Sequence, residues 1–184
     1  SSIRSEIVSK ILNSRLLPAF ELTPQTMSRY IEAVENAPHG TLVSYASTAL
    51  NLAKYASDMR WQPDLSTIIC TSEQMPESWR RKISDALGAP VYSYYGCNEL
   101  NSLGYQHRSE MGYIIPQEHA IVEIGHKDPA DFVTEGDGEL VITSLFNYAM
   151  PIIRYVNGDR GHIGYARGGT LHHQRIFELQ GRVM

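Results

Sequence analysis

One short segment combines an aromatic ring, a glycine and a carboxylate directly after a predicted strand. Residues 91–95 are apolar and aromatic, and Gly96 and Glu99 follow them. In open α/β sheets ligands bind beyond the carboxyl ends of strands, so this exit is a candidate binding edge. Tyr95 offers a face on which a base can stack, Gly96 lets the backbone approach a ligand, and Glu99 offers oxygen to a hard cation. The alternative is a buried aromatic strand that ends in a turn.

A second candidate is a carboxylate in the last third of the chain. Asp159 lies in residues 157–161, Asn-Gly-Asp-Arg-Gly, after an apolar stretch. A carboxylate at a strand end can accept two hydrogen bonds, as the vicinal hydroxyls of a ribose would require. The alternative is an ordinary turn aspartate, because asparagine, glycine and aspartate all favour turns. From these residues alone both interpretations stay open.

The first half of the chain alternates predicted strands and helices. Helices with one apolar face are expected to begin near Pro24, Ser47 and Pro76, with Thr23 as the N-cap of the first and Ser47 as the N-cap of the second. The last of them is expected to end at Gly88. Such alternation predicts parallel crossover units. The apolar, β-branched or aromatic stretches that predict strands here are 16–20, 41–44, 66–71 and 91–95.

From about residue 111 the pattern changes to short strands without helices between them. Asp137-Gly138 and Gly168-Gly169 are typical of hairpin turns. We therefore predict an α/β fold with a parallel α/β portion, 1–110, and a small antiparallel, barrel-like portion, 111–184. The strands predicted in the second portion are 119–125, 139–144, 151–156 and a last one after 170.

Composition and charge exclude several classes of protein. The 184 residues are 42% hydrophobic and 20% charged, with a formal net charge of -4. These values are typical of a globular protein and argue against nucleic acid or an anionic membrane as a partner. No stretch reaches the roughly 18 apolar residues of a spanning helix, so no membrane insertion is expected. Cys70 and Cys97 form no disulfide or zinc framework, which predicts a cytoplasmic protein.

Four motifs follow one another along the chain. They are Tyr-Gly-x-x-Glu at 95–99, Gly-Glu-Leu-Val-Ile-Thr at 138–143, Pro-x-Ile-Arg-Tyr-x-x-Gly-Asp at 151–159 and Gly-Arg at 181–182. In this order and spacing they resemble the adenylate-forming superfamily. The segment 70–75, Cys-Thr-Ser-Glu-Gln-Met, is similar to the Ser-Glu-Pro-Leu element of the phenylacetate–CoA ligase branch and of its relatives in capsular polysaccharide biosynthesis.

The resemblance implies roles for the residues at the strand exit and for the late carboxylate. Tyr95 would stack on adenine, with the Gly96 backbone beside it. Asn98, where the family usually has threonine, would face the α-phosphate, and Glu99 would bind magnesium, so these two residues are the candidate catalytic pair. Asp159 would hold the ribose hydroxyls.

Four further residues take roles from the same resemblance. Arg182, in the Gly-Arg of an interdomain hinge, would also reach toward the ribose. Ser72 and Glu73 would line the acyl or nucleotide pocket. Arg154 is left open between a structural and a phosphate-facing role.

The implied activity is that of an ATP-dependent carboxylate–CoA ligase with an acyl-CoA synthetase-like fold. A small carboxylic acid would attack the α-phosphate of ATP to give an acyl-adenylate, and coenzyme A would take the acyl group as a thioester. The cofactors would be ATP or AMP, Mg²⁺ and coenzyme A. The family's upstream phosphate loop and downstream lysine domain do not occur in these residues, and both ends look cut. We therefore expect an AMP-binding fragment that is inactive alone.

One alternative comes from a different functional class. A diverged relative could serve as a non-catalytic nucleotide-binding or assembly module related to capsular polysaccharide biosynthesis. A homodimer is also left open.

Overall fold

The fold is known from a computed structural model that describes residues 9–19, 23–106, 112–125, 132–165 and 173–182, without the side chain of Arg182. A short helical turn at 9–11 precedes three longer helices. In these ranges no helix is both long and apolar enough to cross a membrane. The longer helices are α1 (Pro24–Glu35), α2 (Ala46–Met59) and α3 (Glu77–Leu87).

Ten strands of the described ranges form one sheet in the order β1-β2-β3-β4-β5-β10-β9-β8-β6-β7. Neighbours among β1, β2 and β3 run parallel, and the other neighbours run antiparallel. The predicted α/β fold with a parallel first part and an antiparallel second part is confirmed. The strands are β1 (Gly40–Tyr45), β2 (Leu65–Thr71), β3 (Val91–Cys97), β4 (Asn101–Gln106), β5 (Tyr113–Ile114), β6 (Ala120–Gly125), β7 (Phe132–Val133), β8 (Gly136–Ser144), β9 (Tyr155–Tyr165) and β10 (Gln174–Arg182).

Three predictions about helix ends can be compared with the structure, and two of them are confirmed. The Thr23 hydroxyl accepts a hydrogen bond from the Thr26 amide at 3.3 Å, which caps α1 as expected. Gly88 ends α3 at φ 69°, in the left-handed region that glycine adopts at low cost. The expected cap at Ser47 was wrong, because α2 already begins at Ala46 and Ser47 lies inside its first turn.

Two predicted strands differ from the structure. Residues 16–18 are not in a strand, and the Tyr30 hydroxyl donates to the Pro18 carbonyl at 2.9 Å, while residue 20 lies outside the described ranges. The strand expected at 151–156 begins only at Tyr155. Arg154 has φ 49°, which interrupts an extended backbone, and the preceding proline offers no amide to a ladder.

The hairpin turn expected at Asp137-Gly138 was also wrong, because both residues lie inside β8. A Cβ on Gly138 would come within 2.4 Å of the Ile124 side chain on β6. Close packing between neighbouring strands therefore accounts for this glycine, rather than a turn. The other expected turn, Gly168-Gly169, lies outside the described residues.

Two clusters of buried apolar side chains support the sheet. The first lies between α1, α2, α3 and the parallel strands and includes the fully buried Ile68, Ile83 and Leu87. The second is built by antiparallel strands and includes Ile142 and Ile176. Because β4 joins both β3 and β5, one continuous sheet carries both clusters. Tyr95 of β3 belongs to the second cluster, and Leu179 of β10 packs against it.

Candidate functional site

A groove with a volume of about 610 Å³ lies where the loop after β2, the turn after β3 and the strands β9 and β10 meet. It gathers all but one of the residues predicted to form the site. The exception, Arg182, is the β10 residue paired with Asp159 of β9, and its side chain is not described. The lining residues are Ser72, Glu73, Gln74, Tyr94, Tyr95, Gly96, Cys97, Asn98, Glu99, Tyr113, Asp159, Leu179, Gln180 and Gly181.

A bulge in β9 sets the position of Asp159. Arg160 pairs with Glu139 of β8, and Val156 pairs with Val141. Residues 157–159 of β9 therefore stand opposite a single β8 residue, Leu140. Bulges of this kind bend a strand and redirect its side chains, and they are frequent beside active sites. The alternative interpretation, an ordinary turn aspartate, is wrong, because Asp159 lies within strand β9.

Asp159 belongs to a closed hydrogen-bonded group with Tyr95 and Asn157. The Tyr95 hydroxyl donates to Asp159 Oδ2 at 2.7 Å and accepts from Asn157 Nδ2 at 2.6 Å. Asn157 Nδ2 also donates to the same Asp159 oxygen at 2.9 Å. The group joins β3 to β9 across the back of the groove, so the predicted base-binding and ribose-binding residues are held as one unit.

Tyr95 is largely buried, with 7% of its surface exposed, although it lines the groove. Its ring packs against Tyr113, with the ring centroids 6.0 Å apart. Burial raises the pKa of the Tyr95 phenol above its ordinary value, and the hydrogen bond to Asp159 raises it further. The phenol therefore stays protonated and remains a hydrogen-bond donor to the carboxylate at neutral pH.

Gly96 is required by the hairpin between β3 and β4. A Cβ at this position would lie 2.0 Å from the carbonyl oxygen of Asn101, far closer than any packing allows. The pairing register also shifts between Tyr95 and Gly96. The structure thus adds a reason for this glycine that does not depend on a ligand.

Asn98 and Glu99 lie in the exposed turn between β3 and β4. Glu99 Oε1 accepts a hydrogen bond of 3.0 Å from the Tyr155 hydroxyl at the start of β9. The carboxylate is thereby oriented at the rim of the groove. Among the described residues, no group of three or more histidine, cysteine or acidic side chains is placed to hold a metal ion.

Ser72 and Glu73 form the opposite rim, in the loop after β2. Ser72 has φ 64°, which is unusual for a residue with a side chain. Glu73 accepts a hydrogen bond from the Ser47 amide at 2.7 Å and one from the Ser47 hydroxyl at 2.9 Å. Its carboxylate therefore caps the amino end of α2 from a distant loop, where it also meets the positive end of the helix dipole.

Replacing Glu73 with alanine is expected to destabilise the protein by about 1 kcal/mol, because α2 has no side-chain cap of its own. The measurement is urea unfolding followed by circular dichroism. Glu118→Ala, at an exposed turn position, is the matched control. Equal stability of the two variants would contradict the capping role.

Gln74 ties the loop after β2 to strand β10. Its side-chain amide donates to the Leu179 carbonyl of β10 at 2.8 Å. The carbonyl belongs to the stretch of β10 where the pairing with β9 shifts, between Leu179 and Gly181. The loop after β2 and the strand β10 thus hold one end of the groove closed.

The two cysteines differ in accessibility. Cys70 is fully buried, which raises the pKa of its thiol to about 12. Cys97 lines the groove. Burial is the main cause that raises the pKa of its thiol above the ordinary value, and the neighbouring Glu99 carboxylate adds to the increase. Both thiols are therefore protonated at neutral pH.

Alkylation by iodoacetamide should be slow at Cys97 at pH 7 and should rise about tenfold for each pH unit below its pKa, because only the thiolate reacts. Cys70 should stay unmodified throughout. Peptide mass spectrometry measures both sites, with glutathione as the reference thiol. A Cys97 rate at pH 7 above that of glutathione would contradict the raised pKa.

Arg154, whose role was left open, makes structural contacts. Its guanidinium meets the Glu123 carboxylate with two contacts, 3.2 Å from Nε and 3.3 Å from Nη2, and lies 4.0 Å from the centre of the Phe132 ring. Its amide donates to the Thr143 hydroxyl at 3.0 Å. These contacts fasten the start of β9 to β6, β7 and β8.

Three residues whose hydrogen bonds hold the predicted site residues or the groove in place were not found from the sequence. Asn157 and Asp159 are two positions apart, which places both side chains on one face of a strand, and this period could have revealed Asn157. Gln74 and Tyr155 act through partners distant in sequence, Leu179 and Glu99. No local pattern could have found those contacts.

Sequence comparison relates the chain to an acyl-CoA ligase. It is 27% identical over 146 residues to the phenylacetate-coenzyme A ligase of Thermus thermophilus, a match that covers 76% of this chain and 32% of the relative. The chain thus spans about a third of the length of that curated relative. No protein-family model matches it.

Structural comparison points to the same fold. The open form of 2-hydroxyisobutyryl-CoA ligase, in complex with 2-HIB-AMP and CoA, matches with a TM-score of 0.75 and 20% identity over 95% of this chain and 40% of that chain. Apo MatB from Rhodopseudomonas palustris matches with a TM-score of 0.63 and 14% identity over 97% of this chain and 37% of that chain. The resemblance to the adenylate-forming superfamily is therefore confirmed, through sequence similarity to a phenylacetate-coenzyme A ligase and through the shared fold.

Proposed function

We propose that this chain is the AMP-binding part of an ATP-dependent carboxylate–CoA ligase of the phenylacetate–CoA ligase type. The observation that supports the proposal is the groove, where residues of three of the four motifs lie together with residues of the loop after β2. We also keep the division into 1–110 and 111–184 as a proposal. The longer enzyme's activity, its acyl substrate and its use of coenzyme A are parts of the same proposal.

In the proposed complex the adenosine part of AMP lies along β3 and β9. The base contacts Tyr95, with the backbone of Gly96 beside it, and the ribose hydroxyls donate to Asp159. Arg182 pairs with Asp159 on the neighbouring strand β10, and in this proposal its side chain would reach toward the ribose. The α-phosphate then points toward the turn that carries Asn98. The support for this order is that Tyr95, Gly96, Asn98 and Asp159 line a single groove.

Magnesium fits the proposed site through one protein ligand. Mg²⁺ in nucleotide sites keeps several waters and takes one or two carboxylates together with phosphate oxygens. Glu99 supplies one carboxylate at the rim, and Tyr155 fixes its orientation through the 3.0 Å hydrogen bond. When bound, the ion would neutralise phosphate charge during adenylation.

The charge of the groove predicts different affinities for AMP and ATP. Its described lining holds three carboxylates, Glu73, Glu99 and Asp159, and no lysine or arginine. A triphosphate without a counter-ion is therefore repelled, since like charges at short range raise the energy of binding. AMP should bind more tightly than ATP without magnesium, and magnesium should improve the binding of ATP.

In the proposed reaction this chain holds the nucleotide and the parent enzyme completes the catalysis. The substrate carboxylate attacks the α-phosphate, the bond to the β-phosphate breaks, and acyl-adenylate and pyrophosphate form. The thiol of coenzyme A then displaces AMP and yields the thioester. The part of Asp159 and Tyr95 is to fix the ribose and base so that the α-phosphate is aligned for attack.

Calorimetric titration of the folded chain tests the proposal. AMP is expected to bind with a Kd below about 1 mM, with ATP weaker than AMP until magnesium is added. GMP is the control for recognition of the base and should bind more weakly than AMP. A folded chain that binds neither AMP nor ATP with magnesium at millimolar concentration would overturn the proposal.

A further inference from the structure

Asn157 uses its whole side-chain amide on residues of the candidate site. Its Nδ2 donates to the Tyr95 hydroxyl at 2.6 Å and to Asp159 Oδ2 at 2.9 Å. Its Oδ1 accepts from the backbone amide of Asp159 at 3.1 Å. The residue is buried, with 6% of its surface exposed, and is not among the described residues that line the groove. Asn157 therefore contacts Asp159 from behind the groove.

These contacts leave the two oxygens of Asp159 in different states. Oδ2 already accepts from Tyr95 and Asn157. Oδ1 has no hydrogen-bond partner among the described residues. A carboxylate has about four acceptor positions, so Oδ1 remains able to accept from a ligand. Because Asn157 hydrogen-bonds to both the carboxylate and the backbone amide of Asp159, the carboxylate is held in one orientation within the β9 bulge.

We infer that Asn157 is a positioning residue that presents Asp159 Oδ1 to a vicinal diol of the ligand. The inference rests on the proposed function, since it assigns the diol to the ribose of AMP. The amide suits this task because it combines two donors and an acceptor oxygen within a small volume, and its three contacts use both donors and the oxygen. A ribose hydroxyl pair then meets a fixed acceptor and does not bear the entropic cost of ordering it.

Paired ligands separate this role from a general structural one. The wild type and Asn157→Ala are titrated with AMP and with 2′,3′-dideoxy-AMP, and weak binding is followed by saturation-transfer NMR. Asn157→Ala is expected to weaken AMP binding about tenfold and to change dideoxy-AMP binding by less than about twofold. Asn51→Ala, on the exposed face of α2, is the matched control and should leave both unchanged.

Asn157→Asp is the second variant, and it keeps the volume of the side chain. It places a second carboxylate against Asp159, so AMP binding should be lost at pH 8 and partly recovered at pH 5, where one carboxyl group is protonated. Dideoxy-AMP binding should show no such recovery. This variant allows the same comparison if the alanine variant does not fold.

The outcomes distinguish the two proposals. If the wild type binds no AMP, the proposed function fails. If the wild type binds AMP but Asn157→Ala and Asn157→Asp weaken both nucleotides equally, the positioning role is overturned and the proposed function stands. Equal wild-type affinity for AMP and dideoxy-AMP would also overturn the inference, since the diol would then not be recognised.

Discussion

Asp159→Asn is expected to weaken AMP binding by about 10- to 100-fold while leaving the fold intact. Asparagine can keep a carbonyl oxygen at the position of Oδ2, where the Tyr95 hydroxyl and Asn157 donate. Its amide nitrogen then takes the position of Oδ1 and can only donate. A ribose hydroxyl pair would lose a charged acceptor, and hydrogen bonds to charged groups contribute about 1.5 to 3 kcal/mol.

The measurement is calorimetric titration with AMP, accompanied by thermal unfolding of each variant. Asp58→Asn, at an exposed position of α2, is the control for the loss of one negative charge. Asp159→Ala should lose both affinity and stability, because it leaves the buried Tyr95 hydroxyl and Asn157 amide without their acceptor. AMP affinity within threefold of the wild type in Asp159→Asn would contradict the assignment of Asp159.

Gly96→Ala is expected to destabilise the protein by about 3 kcal/mol, at the upper end of what overpacking costs. The added Cβ would sit 2.0 Å from the carbonyl oxygen of Asn101 in the neighbouring strand. The Cβ is fixed to the backbone of β3 and the oxygen belongs to the backbone of β4, so neither can move without opening the hairpin of these paired strands. The melting temperature should fall by roughly 6 to 12 °C for a chain of this length.

Gly88→Ala provides the matched comparison. Gly88 has φ 69° at the end of α3, and a Cβ there would meet nothing within 4 Å. Its replacement should cost about 1 kcal/mol, from the left-handed backbone alone. Denaturant unfolding of both variants measures the difference. Gly96→Ala as stable as Gly88→Ala would show that the hairpin relaxes around the added carbon.

The sequence predicted the parallel strands well because they carry strong local signals. Residues 41–44, 66–71 and 91–95 are apolar, β-branched or aromatic runs separated by helices with one apolar face. The strand predicted at 16–20 was wrong at residues 16–18. There the Tyr30 hydroxyl donates to the Pro18 carbonyl, so a side chain rather than a neighbouring strand holds this apolar segment. Composition does not separate those two outcomes.

In the antiparallel half, glycines misled the prediction. Gly138 and Gly158 suggested turns, but one lies where β8 packs closely on β6 and the other lies in the β9 bulge. Glycine relieves both close packing and unusual backbone angles, and only the fold decides which applies. Residues 95–99 and Asp159, which belong to two of the motifs, share one groove, but the motifs did not indicate the local structure around Gly138 and Gly158.

The details of the site depend on contacts between distant residues. The resemblance implied that Tyr95 and Asp159 contact one nucleotide, but not that the Tyr95 hydroxyl donates directly to Asp159 or that Asn157 donates to both. Glu73 was expected to line the acyl or nucleotide pocket; in the structure it lines the groove and also caps α2 through Ser47. A single carboxylate can serve both purposes, and a motif indicates only that the residue type is needed.

The link between Gln74 and Leu179 bears on how the groove forms during synthesis. The two residues are 105 positions apart, so one wall is made long before the other leaves the ribosome. The helices and parallel strands can bury their apolar cluster first, because their contacts are local. While β10 is still inside the ribosome, the nascent chain has only half of the groove. Any nucleotide binding would begin only when β10 pairs with β9.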